Sequence, residues 1–504
     1  MVGRQRRARS LDLGLAMSCG ALAVLALPPF SQPALLPVAF GGLFILTAGH
    51  GVPRAALTGW AFGFMHFGLG LAWIAESFRV DAERFGHLAL PSVAALAAVL
   101  ALFPALAAAT LAATRTRGLD GALVLASVWA VSEWLRGTVL TGFPWNLLGY
   151  AWAEFDIPRQ VAAWTGSYGL SLLTMLAALL PVVVLASPRR ERAAALVLLA
   201  GLASTVWLGA AARLWHAPPD TATTIRIVQP NVPQDEKWDG AYRARNIARL
   251  FTLSARPGAF DLLVWPETAY PGYIEEEPDI LERAAALLPA GGTLLAGAVT
   301  RSSGPDGPVH RNAVLALDAS GKIVARYAKH HLVPFGEYVP WRGVLPLERF
   351  TEGLGDFTPG PGPDTLTLDG APSVGPVICY EAIFPGRVVD DADRPDWIFN
   401  ATNDGWFGRS IGPRQHLAAA RMRAVEEGLP VVRAANTGVS AVIDATGQIR
   451  GRIELGETGI LDAALPAPRR TTFFALYGQT AFMGMLLVCL FGAALLHRRK
   501  ETIV

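Results

Sequence analysis

The chain is expected to fold as an α-helical membrane bundle of about eight transmembrane helices joined to a layered α/β domain. Three observations predict this. Apolar runs long enough to cross a bilayer, which takes about 20 residues each, fill residues 1–216 and recur once near the C-terminus. Residues 217–470 between them have ordinary polar composition, and short Val-, Ile- and Leu-rich runs alternate there with helical stretches, the pattern of stacked sheet and helix layers. Composition agrees. The chain is 52% hydrophobic and 17% charged, against roughly 25% charged in a soluble protein, and the deficit calls for lipid-facing surface. A net charge of +2 leaves no global basic field for nucleic acid.

Seven apolar stretches fall in the first piece, at about 11–29, 33–50, 56–76, 88–113, 120–138, 161–186 and 193–212. Pro91, Pro104 and Pro181 interrupt some of them, and the fifth carries Glu133. More spans follow the first at once, with no small-residue cleavage site leading into a soluble domain, so it reads as a span and not as a removed signal. The last piece, 471–504, holds an eighth run at about 473–496, followed by His497, Arg498, Arg499 and Lys500.

Charge orients these spans. Arg4, Arg6, Arg7 and Arg9 precede the first, Arg54 follows the second, Arg115 and Arg117 the fourth, and Arg189, Arg190 and Arg192 the sixth. The alternate connections are poorer: 29–33 carries no Lys or Arg, and Arg79 and Arg84 sit among acids, although Arg136 and Arg159 fit less well. Cytoplasmic loops collect Lys and Arg. Both termini are therefore expected inside and residues 217–470 outside.

In the middle piece, Thr224–Gln229, Leu262–Trp265, Thr293–Val299, Ala313–Leu317, Val377–Cys379, Trp397–Asn400, Val431–Ala434 and Ala441–Asp444 read as strands, bounded by Pro, Gly, Asn or Asp. Helices fit residues 240–256, 278–288 and 413–428, and Gly, Pro and Asp mark loops at 302–308 and 351–364.

Three segments there carry chemistry. Trp265-Pro266-Glu267-Thr268 ends an apolar strand on a carboxylate. Tyr327-Ala328-Lys329-His330-His331 leads into Pro334-Phe335-Gly336-Glu337-Tyr338. Gly375-Pro376-Val377-Ile378-Cys379-Tyr380-Glu381 ends a strand on the only one of three cysteines that lies outside the apolar runs. An ordinary thiol is only a few per cent thiolate at neutral pH, so a base must take its proton. A glutamate in a partly dry pocket suits that task, and a fixed ammonium can stabilise the oxyanion that attack on a carbonyl creates. Glu, Lys and Cys thus make a complete acyl-transfer set without a metal or cofactor. Each residue alone also fits a bland role: Cys379 as packing, Glu267 as a turn residue, Lys329 as a solvated charge. No His-Glu-x-x-His or Cys-x-x-Cys pattern supports a metal site.

Together and in this order, the three segments resemble the nitrilase (carbon–nitrogen hydrolase) superfamily, which uses a Glu–Lys–Cys triad on an αββα sandwich. The resemblance continues through Asn400-Ala401-Thr402-Asn403-Asp404-Gly405-Trp406-Phe407 and Pro430–Gly438. With the flanking spans, and with Glu133-Trp134-Leu135-Arg136-Gly137 followed by Gly142–Asn146, it narrows to the apolipoprotein N-acyltransferases. That resemblance implies Glu267 as general base, Lys329 as oxyanion stabiliser and Cys379 as nucleophile, with Trp238, Glu337, Tyr380 and Glu381 as substrate-binding or supporting residues. It also implies an acyl chain moved from a membrane phospholipid, phosphatidylethanolamine by family likeness, through a Cys379 thioester to the N-terminal amine of a diacylglyceryl-cysteine on an apolipoprotein. Two rivals use the same features: a membrane-tethered nitrilase-type amidase, and a scaffold with a degenerate nitrilase domain, against which the intact triad argues. The segment Trp341–Gly362, apolar at Trp341, Val344, Leu345, Leu347 and Phe350 yet broken by Gly and Pro, reads as a lid.

Overall fold

The computed structural model describes residues 2–305, 307–340 and 356–501. It divides into two compact units: Met1–Ala75 with His87–Trp215 and Thr472–Val504, and Glu76–Gly86 with His216–Thr471. The short segment Glu76–Gly86, a connection between two expected spans, belongs to the second unit, where Ser77 Oγ donates to the Trp406 carbonyl at 2.9 Å.

Helices occupy all eight expected spans of the first unit. They are α1 (Val2–Val24), α2 (Leu36–Thr47), α3 (Val52–Gly70), α4 (Ala89–Leu100) continued by α5 (Leu102–Ala113), α6 (Leu119–Thr138), α7 (Ala162–Ala186), α8 (Arg189–Leu214) and, at the C-terminus, Thr480–Glu501. Four stretches, Ala82–Ala113, Ala162–Ala186, Arg189–Leu214 and Thr480–Lys500, are long and apolar enough to cross a membrane by length and composition. The others are shorter or carry charge. Small residues set the packing: a Cβ at Gly59 would lie 2.5 Å from the Pro104 carbonyl, and one at Gly63 would lie 2.9 Å from Ala101 Cα. Glycines four apart let α3 and α5 approach backbone to backbone, as membrane helices do where lipid removes the hydrophobic drive.

The loop after α6 is hydrogen-bonded to charged side chains inside that helix. Glu133 Oε1 accepts from Trp129 Nε1 at 3.2 Å and from Leu148 N at 2.9 Å, and Arg136 Nη1 donates at 2.6 Å to the carbonyls of both Phe143 and Trp145. The Glu133–Gly137 and Gly142–Asn146 segments are therefore one construction: a buried pair of charged side chains supplies the hydrogen bonds that a non-helical loop lacks.

The second unit contains two six-stranded sheets, in the orders β12-β1-β2-β3-β4-β5 and β11-β10-β9-β8-β7-β6. Their ranges are β1 Asp220–Gln229, β2 Leu262–Trp265, β3 Thr293–Gly304, β4 Gly307–Asp318, β5 Ile323–Ala328, β6 Leu366–Leu368, β7 Ala371–Ile378, β8 Trp397–Thr402, β9 Val431–Ala435, β10 Ser440–Ile443, β11 Ile449–Ile453 and β12 Gly459–Pro466. All eight expected strands are present; β5, β6, β11 and β12 are additional. The expected helices follow as α9 (Gly240–Ser254), α10 (Pro278–Ala285) and α11 (Gly412–Glu427).

Core composition establishes the layering. Ile225, Ile227, Val264 and Val314 of the first sheet pack against Ile378, Trp397, Phe399 and Val432 of the second. On the outer face of the first sheet, Leu263, Trp265 and Leu294 meet Ile247, Leu250 and Phe251 of α9. On the outer face of the second, Val377, Ile398 and Val431 meet Leu417, Ala420 and Ala424 of α11. The order is helix, sheet, sheet, helix. Strands buried on both faces read as continuous apolar runs and not as alternation, which is why β2 and β8 were legible as strands by their ends.

Candidate active site

Each triad residue stands one or two positions beyond the carboxyl end of a strand. β2 ends at Trp265 and Pro266 leads to Glu267; β5 ends at Ala328 before Lys329; β7 ends at Ile378 before Cys379. β2 is parallel to β3, and two antiparallel pairings carry the direction on to β5, so β2 and β5 discharge at the same edge. Carboxyl ends of strands are where layered α/β folds place their ligands. The turn into Glu267 requires glycine on the neighbouring strand: a Cβ at Gly297 would lie 2.2 Å from the Pro266 carbonyl oxygen and 2.6 Å from Glu267 Cα.

Lys329 is buried to 1% exposure. Its Nζ lies 2.9 Å from Glu337 and 3.6 Å from Glu267 Oε1. Burial pulls the lysine down, but Glu337, Glu267 and then Cys379 outweigh it and raise it well above the usual lysine range. It stays an ammonium. Asn312 of β4 spans the two carboxylates, its Nδ2 donating to Glu267 Oε1 at 2.7 Å and to Glu337 Oε1 at 2.9 Å. The same residue accepts Lys329 N at 2.8 Å through its carbonyl. Glu337 Oε2 accepts from Val333 N at 2.8 Å, so Glu337 fixes both the cation and the loop behind it.

Cys379 is buried, with φ of +48°, a left-handed conformation that costs a non-glycine residue energy and recurs at functional turns. Burial pushes its thiol up to about 12; Glu267 adds to the rise, and Lys329 and a hydrogen bond from Thr402 oppose it. The resting thiol is thus more fully protonated than an ordinary cysteine.

Glu381 holds the two halves of the site together. Buried to 1% exposure, it accepts from Tyr327 OH at 2.9 Å, His330 N at 2.8 Å, His331 N at 3.1 Å and Ile378 N at 2.6 Å, and His330 Nδ1 lies 2.8 Å away. Burial works against its charge, but the His330 contact and the Ile378 amide hold the carboxyl below its ordinary range. Tyr380 is buried edge-on against Phe384 at 5.1 Å and His331 at 5.6 Å. Trp238 is 45% exposed, and its neighbour Lys237 is the one that turns inward. Of the expected lid, residues 341–355 lie outside the described residues. Its far end is stitched to the site, with Phe357 N donating to Glu337 O at 2.9 Å and Gly360 N to Lys329 O at 2.8 Å.

Sequence reasoning missed a second buried cluster behind Cys379. His416 of α11 bridges Asp404 Oδ1 (2.8 Å) and the Cys379 carbonyl (2.9 Å), and Arg433 of β9 pairs with Asp404 Oδ2 at 2.7 Å. Burial opposes the Asp404 charge, but Arg433 and His416 hold it down at about 2. Asp404 and Arg433 stood inside segments already singled out, and the usable signal was their charge within otherwise apolar strand ends. Asn312 and Lys237 were missed as well.

Comparison with known proteins bears on both units. Residues 19–180 match the family described as apolipoprotein N-acyltransferase N-terminal domain, and residues 224–473 match carbon-nitrogen hydrolase. The chain is 41% identical over 489 residues to the apolipoprotein N-acyltransferase of Rhodopseudomonas palustris, covering 92% of this chain and 91% of that one. It is 40% identical to that of Bradyrhizobium diazoefficiens, over 92% and 91% of the two chains. To that of Caulobacter vibrioides it is 38% identical, over 94% and 92%.

Proposed function

Given that the chain belongs to the apolipoprotein N-acyltransferase family, an enzyme that N-acylates lipoproteins at a membrane with phospholipid as donor, we propose that Cys379 is its acyl carrier. Glu267 is the base and Lys329 the oxyanion partner. The reading rests on one observation: the buried Cys379 follows a strand end, as do a carboxylate and an ammonium that are themselves 3.6 Å apart. In the first half-reaction Cys379 Sγ attacks the acyl ester carbon and its proton passes to Glu267. The S–C bond forms, the ester C–O bond breaks, and Glu267 returns the proton to the departing lysophospholipid oxygen. In the second, the α-amine of the diacylglyceryl-cysteine attacks the thioester carbon, the C–S bond breaks, and the amine proton travels through Glu267 to the sulfur. Lys329 faces the oxyanion in both steps, where a preorganised charge in a dry site acts strongly. Ester is exchanged for amide through a thioester, so no nucleotide is consumed. The donor of this reading is phosphatidylethanolamine, and residues 217–470 face the periplasm. The amidase alternative is not favoured, because both units match the acyltransferase family.

Incubation with labelled phospholipid tests the carrier. The peptide containing Cys379 is expected to gain a hydroxylamine-labile acyl group, and label confined to any other residue overturns the assignment. Orientation is tested at Ser303, an exposed position near the β3–β4 turn. Ser303→Cys is expected to react with a membrane-impermeant thiol reagent in intact spheroplasts; reaction only after lysis reverses the topology.

The cluster behind the nucleophile gives a further expected outcome. Removing the His416 bridge with Leu frees the Cys379 carbonyl, and small misplacements of reacting atoms cost roughly 100-fold. His416→Leu is expected to lower the rate of acyl-enzyme formation by about that factor with the chain still folded. His416→Gln, which can still donate to the carbonyl, should recover most of it. Equal rates in wild type and His416→Leu would show that the carbonyl needs no anchor.

A further inference from the structure

Lys237 is a second ammonium at this site, and neither the triad nor its supporting residues account for it. It is buried to 5% exposure. Its Nζ donates to the main-chain oxygen of Glu267 at 3.0 Å and to Thr268 Oγ1 at 2.6 Å. Thr268 has φ of +45°, so the lysine grips the strained turn that presents the base. A buried cation is costly unless something offsets it, and among the described residues Lys237 makes no ion pair. The charges that reach it are those of Glu267 and Cys379, the two groups between which the proton moves.

The charge balance of the site gives this a purpose. Lys329 lies between Glu267 and Glu337, so one positive charge already faces two carboxylates before any thiolate forms. Counting Lys237 with Lys329 brings these two cations and two carboxylates to neutrality, and the balance is kept when the thiol proton moves to Glu267. We propose that Lys237 is a positioning residue of the acyl-transfer site: it fixes the Glu267 turn by two hydrogen bonds, and its ammonium offsets charge on Cys379, setting how readily the thiol ionises. The inference rests on Cys379 being the acyl carrier.

Its signature is a pH dependence that a structural lysine does not produce. Burial holds Lys237 down to about 8, against Glu267 and Cys379, which raise it. It is charged below that value and neutral above it. Besides Lys237, which interacts with Cys379, the charged groups acting on the thiol are Glu267, Lys329 and Asp404; Lys329 is raised far beyond this window and Asp404 lies at about 2. Thiolate at Cys379 therefore grows with pH while Lys237 is charged, stalls as the ammonium loses its proton, and grows again afterwards.

The experiment is alkylation of Cys379 by iodoacetamide in the full-length detergent-solubilised protein, read at the Cys379 peptide by mass spectrometry between about pH 6 and 10. Wild type is expected to show a log-rate rising with pH, flattening above about 8 and rising again. Lys237→Arg, whose charge persists, should rise without the flat region. Lys237→Met should also rise without it, at rates at least about tenfold lower than wild type below about pH 8, the change that a single pKa unit produces in thiolate, and converge on wild type beyond the flat region. A folded Lys237→Met whose profile superimposes on wild type overturns the proposal. So does a flat region near pH 8 that survives in Lys237→Arg, and that comparison stands alone if the methionine variant does not fold. Acyl transfer from phospholipid to wild-type Cys379 is measured in parallel. Its absence would remove the carrier assignment while leaving the alkylation profiles to decide the role of Lys237.

Discussion

Cys379→Ala is expected to abolish acyl transfer, a loss on the order of a thousandfold or more, in a chain that remains folded. The substitution removes one sulfur at the edge of the sandwich. Alanine meets the same backbone demand at φ +48° that cysteine already meets, so no new strain appears. The catalytic loss follows because no other cysteine is available: Cys19 and Cys489 lie in the apolar helices of the other unit. Cys379→Ser should fail almost as completely. The pocket already pushes the thiol up to about 12, and a hydroxyl, intrinsically a much weaker acid, moves further from reach of a carboxylate base. Mass spectrometry of N-acylated lipoprotein checks both variants, and normal turnover in Cys379→Ala would sink the thioester mechanism outright.

Lys329→Met is expected to be nearly as severe, for two separable reasons. Loss of the oxyanion partner costs about 100-fold or more. Loss of the cation also leaves Glu337 and Glu267 buried together without their counter-charge, and breaking a buried pair costs roughly 3–5 kcal/mol of stability. The sequence reading placed Lys329 purely in the chemistry; its burial beside two carboxylates gives it a folding role too. Adding Glu337→Gln to Lys329→Met removes one stranded charge, so the double variant should recover much of the melting temperature while staying inactive. Recovery of activity along with stability would reduce Lys329 to a structural group. Glu267→Gln, which keeps an acceptor for Asn312, should be folded and inactive.

The pH behaviour of stability follows from the same contacts. The folded-state value of Lys329 is raised, so its contribution is complete below the ordinary lysine value near 10.4 and is lost only as pH climbs through the raised one. Asp404 is the opposite case. Its contribution is present above the ordinary aspartate value near 3.9 and is lost as pH falls through about 2. On these two groups alone, the melting temperature should be level across neutral pH, fall at the acid end and fall again above about 10.4.

Much of this architecture was legible in order along the chain. Apolar length alone located eight helical stretches, because a bilayer demands about 20 residues from each span. Strands buried on both faces, such as Leu262–Trp265 and Trp397–Thr402, stood out as short apolar runs. Glu267 and Cys379 became candidates because each follows such a run at a strand end, and Lys329 through the Tyr327–Tyr338 segment. Strands β5 and β11 did not stand out. They expose one face and carry Arg326, Arg450 and Arg452 there, so they read as charged loop. Strand β12 pairs with β1 across more than two hundred residues, Asp220 opposite Pro466, and no local pattern announces such a partner.

What only the tertiary structure decided is the set of long-range electrostatic relations. Asp404, His416 and Arg433 lie on three elements, and Lys237, Glu267 and Cys379 on three connections far apart in sequence, and nothing local requires them to meet. Residue type and position at strand ends marked which groups could do acyl chemistry, because that depends on covalent identity and on pattern along one element, and the family resemblance joined them into an expected triad. The neutral resting thiol, the permanently charged Lys329 and the second ammonium at Lys237 depend on desolvation and Coulomb interaction. Those are set by which groups surround an atom in space, and they come into being when two sheets close over side chains far apart in sequence.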